Sequence, residues 1–284
     1  MPVLSIAVLA VVQGLAELLP VSSSAHVIVA EKLLGLDPTA PEMTLLLVTL
    51  HTGTMLAVIA YFWSSWRRTF FASALGARRI LALLVLSTLL TAVVGYSLKW
   101  MVERTALRNV PDADIEMIFG NLALISAALA AAGLLILVSG LRRRTDASGG
   151  VNPGWREAWW IGAVQGFCLP FRGFSRSGAT ISTGLLLGLE RGWAERYSFA
   201  LAVILTPPVV LREARRLVAA RRGAGGSLWH LFAPGLLGMV LSFLAGLAAL
   251  VWLSRWLERG AWWRFGVYCL VASGAVLSLH AMGF

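Results

Sequence analysis

Gln13, Glu17, Ser22, Ser23, Ser24 and His26 all fall within VQGLAELLPVSSSAH (12–26), a stretch set in otherwise apolar sequence. A carboxylate and an imidazole at membrane depth cost several kcal/mol unless paired, so such residues mark a functional site by default. Gln13 and Glu17 are four apart and share one helix face. Pro20 ends that helix, and the three serines offer caps for a second helix starting near Ala25. A second stretch, GFSRSGAT (173–180), sets Ser175 and Ser177 on either side of Arg176, with Gly178 and Thr180 opening the next helix. Two helix N-termini, several hydroxyls and an arginine suit an anion, phosphate above all.

Glu17 beside phosphate makes sense in two ways. It holds a divalent metal with Gln13 as a neutral oxygen ligand, or it orients His26. Serine and histidine together supply a nucleophile or a general base. The set points to phosphoryl transfer or hydrolysis, with the substrate's apolar part in lipid. Arg172 reads either as a second phosphate ligand or as a snorkelling cation. Serines near Pro and Gly are commonly plain caps, and His51, His230 and His280 read as structural or interfacial. Only the combination of Glu17, SSSAH and SRSGAT exceeds such ordinary explanations.

These residues need a scaffold, and composition defines its class. The chain has 284 residues, 58% hydrophobic and 13% charged, with mean hydropathy +0.78. Soluble domains carry roughly 25% charged residues. Long apolar runs such as ILALLVLSTLLTAVVGYSL (80–98) exclude the short alternating strands of an outer-membrane barrel. The net charge of +10 comes from arginines at the ends of apolar runs, where they set topology and meet anionic headgroups. Nucleic acid is therefore not the expected partner; membrane lipid is. Cys168 and Cys269 are isolated, without metal-ligand spacing, and read as small apolar residues. The first residues, MPVLSIAVLAVV, lack a basic leader and read as part of the mature protein.

Apolar runs and their breakers predict six spanning helices at about 44–63, 79–99, 116–141, 194–211, 230–252 and 262–282. Segments of about 3–35 and 157–190 break the pattern, each with two short apolar arms around a polar interruption. An arm from Ser5 to Leu19 is roughly 22 Å long, too short to span. Both segments read as re-entrant hairpins. They also match each other: Gln13 with Gln165, Gly14 with Gly166, and LLGLD (33–37) with LLGLE (186–190). The fold class is all-α and polytopic, a single membrane domain over 1–284 with repeats of about 1–142 and 155–284. Three spans per half invert the second copy, placing the site near the midplane where the hairpins meet.

QGLAELLPVSSSAH resembles the (E/Q)xxxE segment, with its serines and histidine, of the undecaprenyl-pyrophosphate phosphatases linked to bacitracin resistance. GFSRSGATIS resembles their second motif, PGxSRSGxTI, and AERYSFALAVILTPP (194–208) resembles the segment that follows. The resemblance covers nearly the whole chain. It implies removal of the terminal phosphate of undecaprenyl pyrophosphate, with a divalent cation (Mg or Ca) assisting, to recycle the lipid carrier for cell-wall synthesis. It also implies a site open to the external face of the bacterial inner membrane. Gln13 and Glu17 fall on the acidic motif, Ser23 on its serine, His26 on its histidine, and Ser175, Arg176, Ser177 and Thr180 on the second. Ser22, Ser24 and Arg172 join the expected phosphate ligands. Gln13 at the first motif position argues against a two-carboxylate metal site, and PFRG in place of PG adds Arg172 before Gly173.

Two readings of the attack remain, Ser23 or His26, with Ser23 attacking and His26 as base preferred. The rival function is a transporter or flippase of a polyprenyl phosphate lipid, and a weaker one is non-catalytic binding. Alternating faces put Arg67, Arg68, Arg78, Arg79, Arg142, Arg143, Arg144, Arg255, Arg259 and Arg264 on one side, cytoplasmic by the positive-inside rule. Arg212, Arg215, Arg216, Arg221 and Arg222 then lie outside, against that rule. Nothing in the pattern fixes an oligomeric state.

Overall fold

The computed structural model describes residues 2–36, 41–108, 115–142, 152–220 and 228–283. Asp37 of the repeat match and Arg143, Arg144, Arg221 and Arg222 lie outside the described residues, as do the side chains of Arg216 and His230. The described residues are helical, without a strand. In chain order the helices are α1 (Val3–Leu18), α2 (Ser23–Leu33), α3 (Pro41–Thr69), α4 (Ala74–Thr105) and α5 (Leu122–Leu141). They continue with α6 (Trp155–Cys168), α7 (Arg176–Leu186), α8 (Arg191–Ala220), α9 (Leu228–Glu258) and α10 (Trp263–Ala281).

Six of them, α3, α4, α5, α8, α9 and α10, are long and apolar enough to cross a bilayer. The chain is a multi-pass helical membrane protein. Large apolar side chains such as Leu81, Leu89, Val93, Leu134 and Val271 point outward. That would be costly against water and is natural against lipid. The span expected from residue 116 begins later, because Ile115–Ile118 forms a 3-10 turn. Asn121 then caps α5, its Oδ1 accepting from the backbone N–H groups of Ala123 at 3.0 Å and Leu124 at 3.1 Å.

The other four helices are short: 16 and 11 residues in α1 and α2, 14 and 11 in α6 and α7. At 1.5 Å per residue the longest is about 24 Å, below the roughly 30 Å of a hydrocarbon core. Each pair is joined by a tight turn and packs on itself, and the pairs dock on different long helices, α1 on α9 and α6 on α4. Gly14 and Gly166, matched in the sequence repeat, make both dockings. A Cβ on Gly14 would lie 2.6 Å from Ala245 Cβ, and one on Gly166 would lie 2.7 Å from the Thr91 carbonyl oxygen. Only glycine lets the backbones come that close.

Around the turns the interior is closed by Leu18, Ile125, Leu129 and Ile136, all buried. The pairing of α5 with α10 adds polar ties, with Ser126 Oγ donating to the Ser273 carbonyl at 2.9 Å. The two turns are thus held by the elements behind them, which a precise site requires.

Candidate active site

The α1–α2 turn carries the only left-handed non-glycine backbone among the described residues, Ser22 at φ 68°. Such a conformation costs about 1–3 kcal/mol and concentrates at functional sites. It starts α2 at Ser23, two residues before the expected position, and Ser22 makes no side-chain cap. The first N–H groups of α2 therefore lack the usual capping hydroxyl. The second turn differs. Ser175 caps α7, accepting from the Gly178 N–H at 3.1 Å. Gly173, at φ 101°, presses on the Ile125 carbonyl where no side chain would fit. Its N–H donates to Ser24 Oγ at 3.2 Å, and Ser177 Oγ donates to the Leu19 carbonyl at 3.3 Å. The two turns are stitched together across more than half the chain.

At the junction lies Glu17. Its Oε1 accepts from Arg176 Nη2 at 3.1 Å. Its Oε2 accepts from Ser23 Oγ at 2.6 Å and from Gln13 Nε2 at 3.1 Å. His51 Nε2 stands 3.8 Å from the same Oε2, while its Nδ1–H donates to the Leu47 carbonyl at 2.8 Å. These groups border a cavity of about 340 Å³. Arg176 Nη1 is buried there without a hydrogen-bond partner in the protein, an unused donor of the kind an anion takes.

The cavity gathers nine of the eleven residues expected from the sequence: Gln13, Glu17, Ser22, Ser23, Ser24, Arg172, Ser175, Arg176 and Ser177. Thr180 and His26 are elsewhere. Thr180 is fully buried, bonded to the Arg176 carbonyl at 2.9 Å and to Ser198 Oγ at 2.6 Å. It braces α7 against α8. The expected pairing of His26 with Ser23 is absent as well. His26 lies on the opposite face of α2, its Nδ1–H donating to the Ser22 carbonyl at 2.8 Å. Its Nε2 accepts from Tyr268 O–H at 2.7 Å, with the rings stacked. Both ring nitrogens are thereby used, away from the cavity.

Two residues on the cavity were not singled out in the sequence. His51, expected to be structural, faces Glu17. Glu31 lines the cavity from α2, one turn beyond Val27 and Ile28; it is 2% exposed, and its Oε1 has no partner. The signal was available for both: each is an ionisable residue in an apolar helix, the same feature that marked Glu17.

Comparison with known proteins fixes the relationship. The family model of bacitracin resistance protein BacA matches residues 6–275. The chain belongs to the BacA family. It is 53% identical to Undecaprenyl-diphosphatase 2 of Acinetobacter baylyi, over 98% of each chain. It is 32% identical to an Undecaprenyl-diphosphatase of Desulfosudis oleivorans, over 95% of this chain and 96% of that one. A third, from Rhodopirellula baltica, is 31% identical over 97% of each.

The BacA resemblance read from the two motifs therefore holds along the chain, and the departure at PFRG acquires a place. Arg172 is exposed at the rim of the cavity, its guanidinium 4.5 Å from the centre of the Phe119 ring, a cation–π distance. A resident metal is a different matter. Glu17 already accepts from Arg176, Ser23 and Gln13. Among the described residues no three His, Cys, Asp or Glu side chains stand close enough to hold an ion. The two expected metal ligands lie together on the cavity, Gln13 Nε2 donating to Glu17 Oε2 at 3.1 Å.

Proposed function

We propose that this chain hydrolyses undecaprenyl pyrophosphate to undecaprenyl phosphate and inorganic phosphate, the activity named for its relatives. One observation carries the reading: a single carboxylate, Glu17, holds both the Ser23 hydroxyl at 2.6 Å and the Arg176 guanidinium at 3.1 Å beside an open cavity. A nucleophile, its base and a phosphate-binding cation are within reach of one phosphorus.

The steps follow from that arrangement. Arg176 Nη1 and the N-terminus of α2 bind the terminal phosphate. Ser23 Oγ attacks its phosphorus in line, and the hydroxyl proton passes to Glu17 Oε2. The bond to the bridging oxygen breaks, Glu17 passes its proton on to the departing phosphate, and undecaprenyl phosphate leaves. Water, losing a proton to the freed carboxylate, then attacks the phosphoserine. The bond from phosphorus to Ser23 Oγ breaks, that oxygen takes the proton back from Glu17, and inorganic phosphate is released. Gln13 and His51 hold Glu17 in position, and Ser22, Ser24, Ser175 and Ser177 line the anion's path. A divalent cation (Mg or Ca) fits this scheme as a counter-ion carried in on the pyrophosphate.

The helix pairs α1/α2 and α6/α7 are proposed as re-entrant hairpins of an inverted repeat. Their lengths, the matched Gly14 and Gly166, and the reciprocal dockings of α1 on α9 and α6 on α4 support this. The family resemblance, rather than the charge pattern of the loops, supports a cavity open to the external face of the inner membrane. A transporter would share the repeat, but the Glu17–Ser23 pair exceeds what lipid binding needs. The test is detergent-purified protein, undecaprenyl pyrophosphate and an assay for free phosphate. Hydrolysis is expected; lipid movement in proteoliposomes without hydrolysis would leave the transporter standing instead.

A further inference from the structure

An apolar groove of about 260 Å³ runs between α5 and the α6–α7 turn, walled by Leu124, Ala128, Ala131, Phe167 and Pro170. It shares Phe171, Arg172 and Phe174 with the polar cavity, so the two are separated only by the PFRG turn. A second apolar groove of about 280 Å³, beside His26 and Tyr268, shares no lining residue with that cavity. Both face lipid; one of them adjoins the site.

Resting on the function proposed above, we infer that the α5 groove takes the first isoprene units of the substrate. Arg172 at the junction binds the phosphate that stays on the lipid. The chemistry of a prenyl pyrophosphate changes from anionic to hydrocarbon within one bond, and the wall it meets changes the same way at Arg172. The Phe119 ring steadies the guanidinium from one side, and buried Glu31 lies within electrostatic reach of it. Lipid tails are as apolar as the groove, so the gain is orientation rather than hydrophobic transfer. A chain laid along α5 aims the terminal phosphorus at Ser23 and fixes which phosphate is removed.

The test uses full-length protein in detergent and a farnesyl pyrophosphate bearing a diazirine on its first isoprene unit. Photolysis is expected to label residues of α5 or of the 167–174 segment. Label confined to α2 and α10 around His26 and Tyr268 would overturn the inference. Independently, Ala128→Trp and Ala131→Trp fill the groove from two positions. Each is expected to raise KM for farnesyl pyrophosphate about tenfold with little change in kcat. Isopentenyl pyrophosphate, with a single isoprene unit in the groove, should show a smaller rise in KM than farnesyl pyrophosphate in both variants. Unchanged KM for farnesyl pyrophosphate in both folded variants would also overturn it. A parent protein that releases no phosphate from any prenyl pyrophosphate would remove the functional reading itself, a distinguishable failure.

Discussion

Arg176 Nη2 lies 3.1 Å from Glu17 Oε1, although 159 positions separate them in the chain. The pair joins the first residue of α7 to the last turn of α1, and with it the two halves of the sequence repeat. Removing the guanidinium leaves the Glu17 carboxylate without its arginine partner and takes away the free Nη1 donor. Arg176→Ala should reduce kcat/KM by about a hundredfold or more, and Arg176→Lys should recover only part because it cannot hold carboxylate and phosphate as a fork. Phosphate release at saturating and limiting substrate measures both.

Glu17→Gln keeps the shape but loses the base. It should lower kcat about a hundredfold or more while the protein elutes as a folded species in detergent. Near-parental turnover would mean that the 2.6 Å contact with Ser23 is structural only.

The two histidines should separate. His26 uses both nitrogens on Ser22 and Tyr268 away from the cavity, so His26→Ala should chiefly cost stability, about 1 kcal/mol for a lost neutral hydrogen bond. Tyr268→Phe should behave alike. His51→Ala removes a neighbour of Glu17 and should lower kcat more than either. The comparison needs only thermal unfolding and initial rates; the reverse order of effects on kcat would sink it.

Gly14→Val and Gly166→Val should each destabilise by about 1–3 kcal/mol, since even a Cβ would enter the facing helix. Thermal unfolding in detergent reads this. Gly35→Ala serves as the contrast: its Cβ meets nothing, and only its φ of 64° resists.

The spans were legible because twenty or so apolar residues in a row have few other uses. So were Gln13, Glu17, Ser23 and Arg176, since charge and hydroxyls in such a chain must be answered by something. What escaped was direction. Ser23 and His26 are three apart on a helix, yet Ser22 in a left-handed conformation starts α2 early and turns His26 toward α10. Thr180, one turn into α7, points at Ser198 for the same reason of phase. Glu31 and His51 come from helix faces whose orientation only the packed bundle sets. No local pattern distinguishes a cavity face from a lipid face when both are lined mainly by apolar residues.

The central claim is that Ser23, with Glu17 as its base, takes the phosphoryl group. The direct measurement is an acid quench of purified protein turning over undecaprenyl pyrophosphate labelled in its terminal phosphate, followed by mapping of the protein-bound label. Phosphoserine at position 23, absent in Ser23→Ala and much reduced in Glu17→Gln, is the expected result. Phosphohistidine, or full turnover by Ser23→Ala, would contradict it.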